Sequence, residues 1–154
     1  MPTIVLFQPK IPPNTGNIMR LCSNTGFKLH LIRPLGFALD NKSLKRAKLD
    51  YVSNTTPIMF NDLFSYCENI DINNLIIITK FGKKNYTEAN FKNNSIIIFG
   101  SETNGLPKSF IDLHNRKTFK IPMVNGSRSL NLSNAVAIVV YEAWKNLNFS
   151  GAVL

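Results

Sequence analysis

Two runs of isoleucine, Leu75-Ile76-Ile77-Ile78-Thr79 and Ser95-Ile96-Ile97-Ile98-Phe99, set the terms on which this chain folds. A strand with one wet face alternates apolar and polar residues, because successive side chains point to opposite sides. These runs do not alternate, so both faces must be covered, as for strands inside a parallel sheet flanked by helices. Shorter runs rich in branched residues, at Thr3–Phe7, Lys28–Ile32 and 117–121, have strand length and turn residues at their ends. Helical patterns lie between them. Residues 16–23 place Ile18, Met19, Leu21 and Cys22 on neighbouring faces, and 43–49 form a short basic helix. Residues 61–69 open on the capping types Asn61 and Asp62, residues 107–113 open on a proline suited to a first turn, and the last helix spans Leu132–Asn146. Strands alternating with helices predict an α/β fold, a mostly parallel sheet flanked by helices, as a single domain over 1–154 with a loop at 148–154.

Ligands of such sheets gather at the carboxyl ends of the strands. Three loops leave those ends with unusual chemistry: IPPNTGNIMR (11–20), FGSETNGLP (99–107) and IPMVNGSRSLNLSN (121–134). In the second, Gly100 and Gly105 have the GxxxxG spacing of a phosphate loop, but Leu106-Pro107 stands where a Lys-Ser/Thr pair must hold phosphate and magnesium. Glu102 also places a carboxylate where a triphosphate needs donors. No GxGxxG occurs, so neither a nucleoside triphosphate nor a dinucleotide site is supported. A nucleoside-like ligand without phosphates remains compatible, with Gly100 letting the backbone approach it, although turn chemistry alone accounts for both glycines.

The third loop feeds a polar run, 128–134, directly into Ala135-Val136-Ala137-Ile138-Val139-Val140. A surface helix keeps one polar face. This one is expected to be buried all round, with a polar entrance that satisfies something other than water. In the first loop, Asn14, Asn17 and Arg20 are the chemical candidates, and the spacing of Asn17 and Arg20 puts them on one helix face. Spacing leaves two roles open for Arg20: a salt bridge to an acidic residue such as Glu102, or a bidentate grip on a phosphate or ribose.

Histidine and metal chemistry find little support. His30 lies inside a strand pattern, where a satisfied imidazole is expected, and His114 sits among Asn115, Arg116 and Lys117 at the surface. No His/Cys/carboxylate cluster has metal-ligand spacing, so no metal is expected. Cys22 and Cys67 match no zinc or redox spacing and sit in apolar company, which points to core packing in a reduced, cytoplasmic protein. No leader is expected at MPTIVLFQPK, and no apolar run nears the roughly 18 residues of a membrane span. The net charge of +9, from 18 Lys and Arg against 9 acidic residues, points to a polyanionic partner, nucleic acid first. A basic but solvated surface is the plainer alternative.

Taken together, NTGNIMR, FGSETNGLP and IPMVNGSRSLNLSNAVAIVVYEAW resemble the three motifs of the SPOUT superfamily of RNA methyltransferases. Their order and spacing are similar to those of the small 2′-O-methyltransferases of the tRNA wobble nucleotide, from the first strand to the terminal GAVL. The resemblance implies a deep C-terminal trefoil knot, which general topology rules would have rejected. It implies that the polar run is threaded through a loop, that S-adenosylmethionine binds in the bend, and that the apolar helix packs on its own sheet and on a second subunit of a homodimer. Position by position, it implies a donor pocket of Ile78, Thr79, Gly100, Ile121, Ser129 and Leu130, and catalytic roles for Arg20, Glu102 and Asn131. One departure stands out: TKFGKKNY replaces the small polar residues of relatives, which is expected to alter how loop 80–86 covers the donor.

The implied chemistry is in-line attack of a ribose 2′-oxygen on a sulfonium methyl. Because an arginine keeps its proton up to a pKa above roughly 12, Arg20 is expected to contact the neighbouring phosphate and stabilise the forming alkoxide rather than act as base. The tRNA anticodon stem-loop would be recognised by Asn17, Arg33, the Lys42/Lys45/Arg46 face, Arg128 and Tyr141, each of which could instead be surface charge or, for Tyr141, dimer packing. A 17.3 kDa subunit offers little surface for such a substrate, so both subunits are expected to share it. Methylation of another tRNA or rRNA nucleotide, and a catalytically silent RNA-binding dimer, are the competing readings.

Overall fold

The computed structural model describes residues 1–39 and 56–153. The expected basic helix at 43–49, with Lys42, Lys45 and Arg46, lies outside the described residues. Among the described residues seven strands form one sheet: β1 Thr3–Phe7, β2 Lys28–Ile32, β3 Ile58–Phe60, β4 Leu75–Ile78, β5 Lys84–Asn85, β6 Ile96–Phe99 and β7 Thr118–Lys120. Their order is β3-β2-β1-β6-β4-β7-β5, and every pairing among them is parallel. Among the described residues the α-helices are α1 Pro12–Thr25, α2 Leu63–Cys67, α3 Lys108–Leu113 and α4 Leu132–Asn146.

The isoleucine runs behave as their composition demands. Leu29, Ile4, Ile97 and Ile76 lie side by side across four strands, and on the opposite face Val5, Ile98 and Ile77 do the same. The first row belongs to a core with Ile18, Met19 and Cys22 of α1 and Val136, Val139, Val140 and Ala143 of α4. The second packs with Leu63 of α2 and Phe110 of α3. Each fully buried isoleucine contributes about 1.5–3 kcal/mol relative to an exposed one, so covering both faces is what holds the central strands. Burial pushes the Cys22 thiol up to about 12, as expected of a core packing residue.

Several boundaries differ from the sequence expectation. Helix α1 begins at Pro12, well before residue 16, because prolines at the first two positions give up amide groups that no helical carbonyl could accept. It ends at Gly26, whose φ of 73° is the left-handed cap that glycine adopts at little cost. Helix α2 is shorter than 61–69, starting after Asp62, whose side chain accepts from the Ser65 amide at 2.8 Å. Strands β3 and β5, at three and two residues, are too short to leave a periodic pattern. Helix α4 keeps its expected bounds but is not buried all round in the single chain. Val136, Val139, Val140 and Ala143 are fully covered, whereas Ile138 and Tyr141 are 37% and 50% exposed.

Candidate active site

The carboxyl ends of β4, β6 and β7 open into a cleft of about 610 Å³. Ile78 and Thr79 reach it from β4, Phe99 and 100–106 from β6, and Ile121 and Met123 from β7. Ser129, Leu130, Asn131, Leu132 and Ala135 close it at the start of α4, and Ile11 and Asn14 at the start of α1. All six positions assigned to the donor pocket, Ile78, Thr79, Gly100, Ile121, Ser129 and Leu130, therefore line one cleft. Ser101 lines it too, and its hydroxyl is buried with no hydrogen-bond partner among the described residues.

Gly100 is fixed by its own loop. A Cβ at this position would lie 2.5 Å from the carbonyl carbon of Gly105, because Ser101 and Gly105 exchange backbone hydrogen bonds of 3.1 and 2.9 Å. This is the turn chemistry expected of the two glycines: the group that approaches Gly100 is Gly105, which closes the turn at φ 65°.

Glu102 ties the second loop to the first. Its carboxylate accepts from the amides of Lys10 and Ile11, at 2.8 and 3.0 Å, and from Asn14 Nδ2 at 3.2 Å. Partial burial pushes its pKa up, but these bonds outweigh it, and the carboxyl titrates below its ordinary value. Asn14 passes the connection on: its Oδ1 accepts from Asn131 Nδ2 at 2.9 Å. Asn131 Oδ1 in turn caps α4, accepting from the amides of Ser133 and Asn134 at 3.0 and 3.3 Å and from Ser133 Oγ at 2.7 Å. Here lies one answer to why polar residues precede an apolar helix. Asn131 satisfies the orphan amides of α4 while joining the third loop to the first.

Glu102 and Asn131 thus sit in the cleft wall, linked through Asn14. Asn14 has no role legible in the sequence: only its near-complete burial marks it, and spacing does not reveal that. Arg20 and Asn17 lie further along α1, both exposed and outside the cleft lining, as are Arg33 and Arg128. Arg33 Nη1 donates to Asn61 Oδ1 at 3.0 Å beside the sheet edge. Tyr141 stands on the outer side of α4, its ring edge-on to Trp144. His30 is half-buried against Phe60 and shares a 2.7 Å hydrogen bond with Tyr66, away from the cleft lining. Burial first, and then the charge of Lys28, holds its pKa below the ordinary value. Lys80, from the loop expected to cover the donor, lines the cleft too, as do Met123 and Thr103, for which the sequence pattern gives no individual signal. Among the described residues, no three His, Cys, Asp or Glu side chains come together as metal ligands.

The parallel sheet thus carries, at its strand ends, a cleft built from three loops that a carboxylate and two asparagines tie together. The chain belongs to the SpoU rRNA methylase family, whose model matches residues 1–141. It is 48% identical to the tRNA (cytidine(34)-2′-O)-methyltransferase of Escherichia coli K12, over 100% of this chain and 99% of that one. It is similar to a structure solved for insight into 2-OH methylation of C/U34 on tRNA, at TM-score 0.82 and 39% identity, covering 96% of this chain and 97% of that one. It also shares its fold with the SpoU methyltransferase AviRb from Streptomyces viridochromogenes, solved in complex with the cofactor AdoMet, at TM-score 0.80 and 22% identity, covering 97% of this chain and 58% of that one. No helix among the described residues is long and apolar enough to cross a membrane.

Proposed function

We propose that the chain transfers a methyl group from S-adenosylmethionine to the ribose 2′-oxygen of the tRNA wobble nucleotide, cytidine or uridine 34, as the names of its relatives suggest. The observation that carries the reading is the convergence of three loops on one cleft. Its size suits a ligand of nucleoside class. Ile78, Phe99, Ile121 and Leu130 offer an apolar floor, and the Ser101 hydroxyl offers an unclaimed hydrogen bond. Ile78, Thr79, Gly100, Ile121, Ser129 and Leu130 would hold the donor. When bound, the donor supplies a methyl on a positively charged sulfonium that leaves as a neutral thioether.

The protein's own task is then positioning, which can lower a barrier by about 7–11 kcal/mol. Glu102 and Asn131 perform it through Asn14 by locking the loops together. Arg20 contacts the phosphate beside the target nucleotide and stabilises the forming alkoxide. Asn17, Arg33, Arg46, Arg128 and Tyr141 bind the anticodon stem-loop. The segment between β7 and α4 threads a trefoil knot, and the exposed side of α4 packs on a second subunit in a cytoplasmic homodimer.

The test combines purified protein, labelled S-adenosylmethionine and total tRNA from cells lacking this protein, followed by digestion and mass spectrometry. The expected product is a 2′-O-methylated nucleotide 34. Label elsewhere in tRNA or in rRNA overturns the substrate, and absence of donor binding overturns the chemistry.

A further inference from the structure

The turn after β4 presents an aromatic ring at the lip of the cleft. Phe81 lines the cleft and is 64% exposed. Its backbone is held from both sides. Thr79 N donates to Phe119 O at 2.9 Å and Gly82 N donates to Thr79 O at 3.0 Å. Gly82 is pressed onto β7 so closely that a Cβ there would lie 2.2 Å from the Phe119 carbonyl carbon. The ring therefore projects from a clamped turn rather than a loose loop.

One cation stands over the ring and others follow it in the chain. Lys80 Nζ stands 5.0 Å from the Phe81 ring centroid. Lys83 and Lys84 are exposed just beyond it, with Lys84 Nζ 6.0 Å from the Phe119 ring centroid, whereas Lys120 pairs with Asn85 and so points to the other face from Lys84. Glu88, the acidic residue of this segment, is turned back onto the Asn85 amide at 2.8 Å. We propose that Phe81 is a stacking platform for an unpaired base of the RNA substrate, with Lys80, Lys83 and Lys84 meeting the flanking phosphates. The proposal deepens the function proposed above and rests on it.

The charge selects this occupant. An aromatic ring among cations suits a single strand, where every base has a face to stack and every linkage a negative charge. The methyl donor has no phosphate and carries a sulfonium cation, so three lysines do not complement it. A second copy of the chain would bring the same three lysines to a symmetric contact, and like charges would oppose it.

Fluorescence anisotropy with a labelled anticodon stem-loop RNA, and with a fully paired duplex of equal length, reads the proposal directly. Phe81→Ala is expected to weaken stem-loop binding about 5- to 100-fold, as loss of one stacked base does. Phe81→Trp should bind like the parent, duplex affinity should change less than about twofold, and calorimetric affinity for S-adenosylhomocysteine should hold. Unchanged stem-loop affinity in Phe81→Ala, or no stem-loop binding by the parent, overturns the platform. So does equal weakening toward the duplex, or a loss confined to S-adenosylhomocysteine. A changed sedimenting mass in Phe81→Ala would assign the ring to subunit contact instead. If the parent protein binds the stem-loop with Phe81 dependence yet methylates no tRNA, the function reading falls and the platform stands.

Discussion

The Glu102 carboxylate accepts three hydrogen bonds from uncharged donors of the first loop, Lys10 N, Ile11 N and Asn14 Nδ2. Those bonds favour the ionised form, so its pKa is depressed in the fold relative to the unfolded chain. The sign follows: the stabilisation is full above the ordinary carboxylate value of 4.5 and is lost as pH falls through the lower folded value. Glu102→Gln keeps the shape but removes the charge and turns donors toward donors. Unfolding in urea near neutral pH should show a loss of about 1–2 kcal/mol after allowing for partial solvent screening. The gap between parent and variant should shrink as pH falls below 4.5. Arg20 makes a contrasting prediction. If its guanidinium grips a phosphate bidentately, Arg20→Lys should lower kcat about 100-fold with donor affinity unchanged. Single-turnover methylation of tRNA, read beside donor calorimetry, checks it, and activity near the parent value refutes a bidentate role.

At the scale of the element, α4 depends on the N-cap that precedes it as much as on its apolar face. Asn131→Ala removes the side chain that caps the amides of Ser133 and Asn134, and should cost about 1 kcal/mol by chemical denaturation. Asn131→Ser restores a cap without the amide that reaches Asn14, so stability should recover while the methylation rate stays low. Recovery of both would reduce Asn131 to a helix cap. The bounds of α4 were legible because Asn131-Leu132-Ser133 is a capping sequence followed by a long apolar segment. The start of α1 was not, since Pro12-Pro13 reads as a loop until the first-turn geometry is seen. Strands β1 and β2 carry enough branched residues to announce themselves; β3 and β5 are set by pairing with β2 and β7, which is tertiary information. The Glu102 partners are similarly hidden. Sequence separation exceeds 85 residues in each of those contacts, and two of the three donors are backbone amides that every sequence possesses.

For the whole molecule, the two-sided core follows from the isoleucine runs, but the outward side of α4 does not. The sequence shows an apolar helix, and the fold uses only part of it: Ile138 and Tyr141 remain exposed, with Leu130 40% exposed at the helix entrance. Residues 138 and 141 are one helical turn apart and form a ridge that a second copy can meet about a twofold axis. A stable contact of this kind covers about 800 Å² per partner, more than these side chains alone, so neighbouring surface must take part. If the proposed homodimer uses this ridge, the parent protein sediments at twice the 17.3 kDa subunit mass. The double variant Ile138→Asp, Tyr141→Asp should sediment at the single mass, because two carboxylates would be buried against their symmetry copies without partners. Both positions are solvated in the single chain, so far-ultraviolet circular dichroism should remain that of the parent. A variant that stays dimeric would place the contact on another face. A variant that becomes monomeric and loses tRNA methylation while keeping donor affinity would mean that the donor cleft is complete in one subunit and that the RNA site needs two.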